Sequence, residues 1–250
     1  MVRVTSDAIV LRRIPYRESS QIAEFLTKEH GRVSLILKGV HRPKDRKGGG
    51  VDLLELCRVT WTEHRKSRSL APLIERSVVS HHPGIRKRED LVRSGMYLVE
   101  LLRAMAPEHQ RLPGMFSLSV AFLSALNEQP EESAVETMRF ALDGGLIRIA
   151  GFEYVLDRCV SCDKRPKGFR TLKCDLEKGG IVCSSCRESS DTTFSLSMDS
   201  SLIIVRLAGA DPRRLGKVPI SKDVRRDIRR FFLRALTHIL ERPPRCTVTQ

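Results

Sequence analysis

Five short runs rich in Val, Ile, Leu and Thr crowd the first eighty residues, with no long helical stretch among them, at residues 4–14, 21–27, 32–40, 53–62 and 69–80. Several alternate apolar with polar side chains, the period of a half-buried strand. In residues 32–38, Val33, Leu35 and Leu37 point one way while Arg32, Ser34, Ile36 and Lys38 point the other. Five strands in so little chain suit a small closed barrel, and the five-stranded form of that is the OB-fold. The expectation is an α+β protein that opens with such a barrel.

The segment after the third run has a different chemistry. Residues 38–47 read Lys-Gly-Val-His-Arg-Pro-Lys-Asp-Arg-Lys and lead into Gly48-Gly49-Gly50, so five cations and one acid lie beside a glycine hinge. That is a poor core and a good phosphate contact. Arg32, Lys38, Arg42, Lys44, Arg46 and Lys47 are the candidate DNA-binding side chains of the barrel, and Tyr16, Phe25 or Trp61 offer stacking. Phe25 and Trp61 suit the barrel core equally well. The formal charge of +14 is unevenly spread: residues 1–80 hold 16 cations against 9 acids, residues 81–205 hold 16 against 17, and residues 206–250 hold 12 against 4. Basic ends around a neutral middle favour a polyanionic partner, nucleic acid ahead of a membrane surface, because no interfacial terminal helix accompanies the charge. No run of 18 apolar residues and no signal-like apolar core occurs in the sequence, which places the expectation in the cytoplasm, with the nucleoid.

Beyond residue 82 the pattern turns helical. His81-His82-Pro83-Gly84 closes the barrel region, and the two histidines are expected to be solvated turn residues. Apolar positions at helical spacing follow in residues 86–106, 113–127 and from Pro130 past Ile147, where Gly144-Gly145 is expected to kink the third helix. These stripes read as a helical scaffold, although a partner's apolar tail fits between two such helices. Near the C-terminus Ser221 offers an N-cap to a helix whose apolar face carries Val224, Ile228, Phe231, Phe232, Ala235, Leu236, Ile239 and Leu240. Arg225, Arg226, Arg229, Arg230 and Arg234 fall mainly on the other side, with only Asp227 read as offsetting them, and the first four are candidates for a second DNA contact. The divisions that result are 1–82 for the barrel, 83–157 and 191–250 for the helical parts, and 158–190 between them.

That middle segment carries Cys159-Val-Ser-Cys162 and, twenty residues on, Cys183-Ser-Ser-Cys186. Each C-x-x-C presents two thiolates from a tight turn, and two such knuckles complete a tetrahedral shell, so the expectation is one structural zinc ion per chain held by Cys159, Cys162, Cys183 and Cys186. Four sulfurs leave no position open for water, and the competing readings are redox pairs or inert thiols. Seven cysteines without a secretion signal argue against a disulfide framework. No P-loop, triad or further ligand cluster is evident, so the chain reads as a binding protein rather than an enzyme. An RNA-binding barrel with a zinc ribbon, as in translation or transcription, is the alternative.

Several blocks, in order, resemble one family. Residues 8–20 (Ala-Ile-Val-Leu-Arg-Arg-Ile-Pro-Tyr-Arg-Glu-Ser-Ser), Glu29-His-Gly-Arg-Val33, residues 38–44, Gly151-Phe152, residues 157–162, residues 179–183 and residues 230–240 look like the bacterial recombination mediators of the RecO family. The resemblance implies an OB-fold domain, a helical domain and a zinc-binding insert in a non-enzymatic protein of double-strand break and gap repair. It further implies binding of single- and double-stranded DNA, annealing of complementary strands, association with RecR and with the C-terminal tail of single-strand-binding protein, and indirect assistance to RecA. Lys173-Cys-Asp-Leu-Glu-Lys178, before the second knuckle, departs from the family pattern, as does the stretch 66–70 in the last hairpin.

Overall fold

The alternating runs fold as β1 (Val2–Tyr16), β2 (Ser20–Thr27), β3 (Gly31–Leu37), β4 (Leu56–Glu63) and β5 (Ala71–Ser80), and these close into a barrel in the order β1-β2-β3-β5-β4. The computed structural model describes residues 2–40, 50–63, 70–166, 171–186, 192–216 and 218–246. Neighbouring strands are antiparallel except β3 and β5, which run parallel and meet only at Leu35 with Ala71 and Ile36 with Pro72. Upstream of that short junction, β3 would present a bare edge. It is covered by residues 107–109: the Arg32 amide donates to the Pro107 carbonyl at 3.2 Å, and the His109 amide donates to the Arg32 carbonyl at 3.0 Å. Gly31 makes this approach possible, because its φ is +65° and the Gln110 backbone occupies the space a Cβ would fill.

Burial follows the alternation. Val33, Leu35 and Leu37 point inward with Ala8, Val10, Ala23, Phe25, Val51, Cys57, Val59 and Trp61 to form the barrel core. Phe25 and Trp61 are 0% and 1% exposed, which settles their role as packing rather than stacking platforms. The His30 ring meets Trp61 edge-on at 5.3 Å. Helices α1 (Glu89–Met105) and α2 (Met115–Asn127) group with the barrel in one unit, Met1–Gln129, and bury Leu91, Leu98, Leu101 and Leu102. The expectation of solvated turn histidines holds for His81, which is exposed, and is corrected for His82. His82 is 4% exposed and its Nδ1–H donates to the Leu54 carbonyl at 2.7 Å, while His81 Nδ1 lies 2.7 Å from the buried Glu55 carboxylate.

The second unit, Pro130–Thr247, contains α3 (Glu132–Ile149), a three-stranded sheet ordered β7 (Gly180–Val182), β6 (Thr171–Asp175), β8 (Thr193–Ser197), then α4 (Met198–Ala208) and α5 (Lys222–Leu240). Contrary to the expected kink, α3 runs unbroken through Gly144-Gly145. A Cβ on Gly144 would come 2.7 Å from the Ala208 Cβ, so the glycine serves the close approach of α3 and α4. Ser197 caps α4 by accepting from the Ser200 amide at 3.1 Å, and Ser221 caps α5 as its sequence position suggests, accepting from Val224 at 3.4 Å. The apolar face of α5 buries Ile228, Phe231, Phe232, Ala235 and Leu236; Phe232 stacks on Phe140 of α3 at 5.9 Å.

Candidate functional site

Both cysteine knuckles hang from one backbone junction. Residues 155–160 run beside β7, where the Val155 amide donates to Gly179, the Ile181 amide to Val155 and the Val160 amide to Ile181, each at 2.9 Å. That ladder fixes Cys159 next to Cys183 although 24 residues separate them. Within each knuckle the chain turns back on itself: the Asp163 amide donates to Cys159 at 2.9 Å, and the Cys186 amide to Cys183 at 3.1 Å. The four Sγ atoms of Cys159, Cys162, Cys183 and Cys186 consequently all lie within 4.8 Å of one another, and among the described residues no other group of three or more His, Cys, Asp or Glu is gathered closely enough to hold a metal ion.

The surroundings of the sulfurs suit anions. Burial pushes the Cys159 thiol up, but amide donors from Cys183, Ser161 and Cys162 outweigh it and bring the group down to about 6. One of these, the Cys183 amide, sits 3.3 Å from the Cys159 sulfur. Cys186 goes the other way, pushed up to about 12 first by its hydrogen bond to Cys183 and then by that to Cys162. Four sulfurs crowded this closely hold their last proton tightly, and a bound cation would take its place. Cys174, between the knuckles in sequence, stands apart from them: it is fully buried in β6, and burial raises it to about 12.

The candidate phosphate contacts fall into three groups. Lys38 is exposed just past the end of β3, while Arg42, Lys44, Arg46 and Lys47 lie outside the described residues. Arg32 is spoken for by its own molecule: its guanidinium reaches Glu24 at 2.7 Å, Glu108 at 3.4 Å and the Ala106 carbonyl at 3.1 Å. The same Glu24, almost buried, also meets Arg103 of α1 at 3.3 Å. On α5, the reading that Asp227 alone offsets the arginines is corrected. Arg225 and Arg229 both reach Glu136 of α3, Arg225 at 2.6 Å and the Arg229 Nε at 3.0 Å; Arg226 meets Asp223 at 2.8 Å and Arg230 meets Asp227 at 2.9 Å. Arg234 lies over the Phe194 ring, 5.0 Å from its centre. The sequence reading did not single out Arg12 and Arg17, exposed cations on and just after β1, with Arg17 over the Tyr16 ring at 5.3 Å. Among the described residues no helix is long and apolar enough to cross a membrane.

A closed five-stranded barrel with the strand order of an OB-fold, accompanied by helices and a four-cysteine cluster, defines an OB-type barrel protein whose four-thiolate donor set would leave no open position on a bound metal. The chain belongs to the recombination protein O, or RecO, family, whose N-terminal model matches residues 1–81 and whose C-terminal model matches residues 88–246. This is a family of non-enzymatic recombination mediators. Curated relatives named DNA repair protein RecO include one from Anaeromyxobacter sp. (strain K), 29% identical over 97% of this chain and 93% of the relative. Another, from Myxococcus xanthus, is 30% identical over 74% of this chain and 73% of its own, and one from Halalkalibacterium halodurans is 23% identical over 88% and 83%.

Proposed function

We propose that this chain binds single- and double-stranded DNA through phosphate contacts, anneals complementary strands, and assists loading of RecA onto strands coated by single-strand-binding protein, together with RecR and the tail of the coating protein. The observation that carries the reading is the match of both family models, in order, along nearly the whole chain. Physical support comes from the net charge of +14, the exposed Lys38 and the cationic stretch that follows it in sequence. Annealing requires neutralising two polyanions without reading their bases, and a cluster of lysines and arginines does that. Lys38, Arg42, Lys44, Arg46 and Lys47 are assigned the principal phosphate contacts. Arg226 and Arg230 are assigned auxiliary ones, because each guanidinium keeps donors beyond its single carboxylate partner, and Arg225 and Arg229 share Glu136. Arg32 is assigned to holding β3.

The four cysteines are assigned one zinc ion. A tetrahedron with zinc–sulfur bonds of about 2.3 Å separates its sulfurs by about 3.8 Å, and Cys162 and Cys183 lie 3.7 Å apart. Its part is to fold the loops around it.

The test is the salt dependence of binding together with strand annealing. Affinity for a single strand should fall steeply with salt, by about 0.7 in logarithmic slope for each phosphate neutralised. Lys44→Ala with Arg46→Ala should make that slope shallower and slow annealing; an unchanged slope and rate would place the binding surface elsewhere.

A further inference from the structure

Helix α4 is packed on one face and bare on the other. Ser200, Ser201, Ile204 and Leu207 are buried, and Ala208 lies against Gly144 of α3. The far face carries Met198, Leu202, Val205 and Gly209, the C-cap, spaced by four, three and four residues, so that they line one side of the helix. Leu202 is 47% and Val205 51% exposed, and nothing lies within 4 Å of the place a Cβ on Gly209 would take. Aliphatic side chains at this spacing are what a helix presents to another helix, yet among the described residues nothing covers them.

The charges beside the stripe choose its occupant. Asp199 and Arg206, both exposed and seven residues apart, border it on the same side, and among the described residues neither has an ion-pair partner. The opposite border, at Ser201 and Ala208, is closed by packing. A partner of uniform charge would be attracted at one end of the stripe and repelled at the other. A second α4 laid antiparallel is attracted at both. When Leu202 of one copy meets Val205 of the other, Asp199 and Arg206 of opposite copies come within two residues of register, about 3 Å along the axis. Two-fold symmetry forms this pair twice, and the helix dipoles oppose favourably as well. In a parallel arrangement Arg206 would fall against Ser201, which offers no charge.

We propose that this face of α4 is a self-association surface on which a second copy of the chain docks antiparallel, with Leu202 and Val205 at the centre and two Asp199–Arg206 pairs along one border. The helix has 11 residues, about 16 Å of length, so one such contact lies at the small end of specific interfaces and makes a reversible, concentration-dependent dimer. Two copies joined in this way would each bring a strand to annealing, a consequence that rests on the function proposed above, whereas the dimer itself rests on α4 alone.

The test is analytical sedimentation of the full chain without DNA, so that its outcome is independent of the DNA-binding reading. The average mass should rise from one chain toward two as concentration increases through the micromolar range. Asp199→Arg alone, or Arg206→Asp alone, sets like charges along the contact and should weaken association by about tenfold or more. The two variants mixed in equal amounts should associate as the wild type does, because each copy then carries the sign the other lacks. Leu202→Gln with Val205→Gln should abolish the dimer while the thermal midpoint, which solvent-facing positions scarcely influence, stays in place. A chain that remains monomeric throughout, a dimer indifferent to all these substitutions, or charge variants that fail to associate when mixed would each overturn the proposal.

Discussion

His82 donates its Nδ1–H to the Leu54 carbonyl at 2.7 Å from a position 4% exposed to solvent. Burial lowers its pKa, and the charges of Arg86 and His81 add to the effect, so the folded chain favours the neutral imidazole. Protonation then favours unfolding. His82 contributes its full stability above the ordinary imidazole value of about 6.5 and loses that contribution as pH falls through its lowered folded value. Urea midpoints of the wild type should drop between about pH 7.5 and about pH 5.5 by more than those of His82→Gln, which no longer titrates there; parallel declines would show that other groups set the acid sensitivity. Arg32 is a half-buried cation held between carboxylates. Removing it leaves Glu24 buried with Arg103 as its remaining cation, and Arg32→Ala should cost about 1–2 kcal/mol of stability after allowance for its partial exposure. The salt slope of DNA binding should not change, whereas a shallower slope would return Arg32 to the phosphate contacts.

At the scale of elements, the features visible in the sequence are those set by local spacing. Alternation at Val33, Leu35 and Leu37 exposes β3 to inspection because period 2 is a property of neighbours, and the two C-x-x-C pairs announce the cysteine cluster because each half is made within four residues. Contacts made across the fold leave no such trace. Glu136 reaches Arg225 and Arg229 from 89 and 93 residues away, and Ile14, Ile22, Ile36 and Pro72 become neighbours only through the register of four strands. Gly144 shows how a local signal misleads: glycine in a helix suggests a weak point, yet here it admits Ala208 of a neighbouring helix. The two readings predict opposite signs. Alanine at a lax helical position would stabilise by about 0.5–1 kcal/mol, but a Cβ 2.7 Å from that of Ala208 must push α4 aside, at a cost of about 1–3 kcal/mol. Gly144→Ala should lower the melting temperature, and a rise would restore the flexible kink.

On the scale of the whole molecule, the chain comprises two compact units, and their cores report separately. Trp61 is the sole tryptophan of the chain and lies in the barrel core, so its emission follows the first unit. All four clustered cysteines belong to the second, where the backbone ladder at Val155, Val160 and Ile181 holds little apolar mass of its own beyond the short sheet. With zinc bound as proposed, such a segment would depend on the metal for folding, because the free energy of binding a structural ion becomes free energy of the folded loops. Purified protein should contain about one zinc per chain, the number one closed tetrahedral site accepts. Chelation, or Cys162→Ser, should open residues near 155–186 to protease while the urea transition followed by Trp61 emission stays in place. The contrast between a protease-sensitive second unit and an unmoved tryptophan signal is the decisive reading. If removing the metal shifted the Trp61 transition as well, the units would be folding as one, and the cysteine cluster would be supporting the barrel as directly as its own loops.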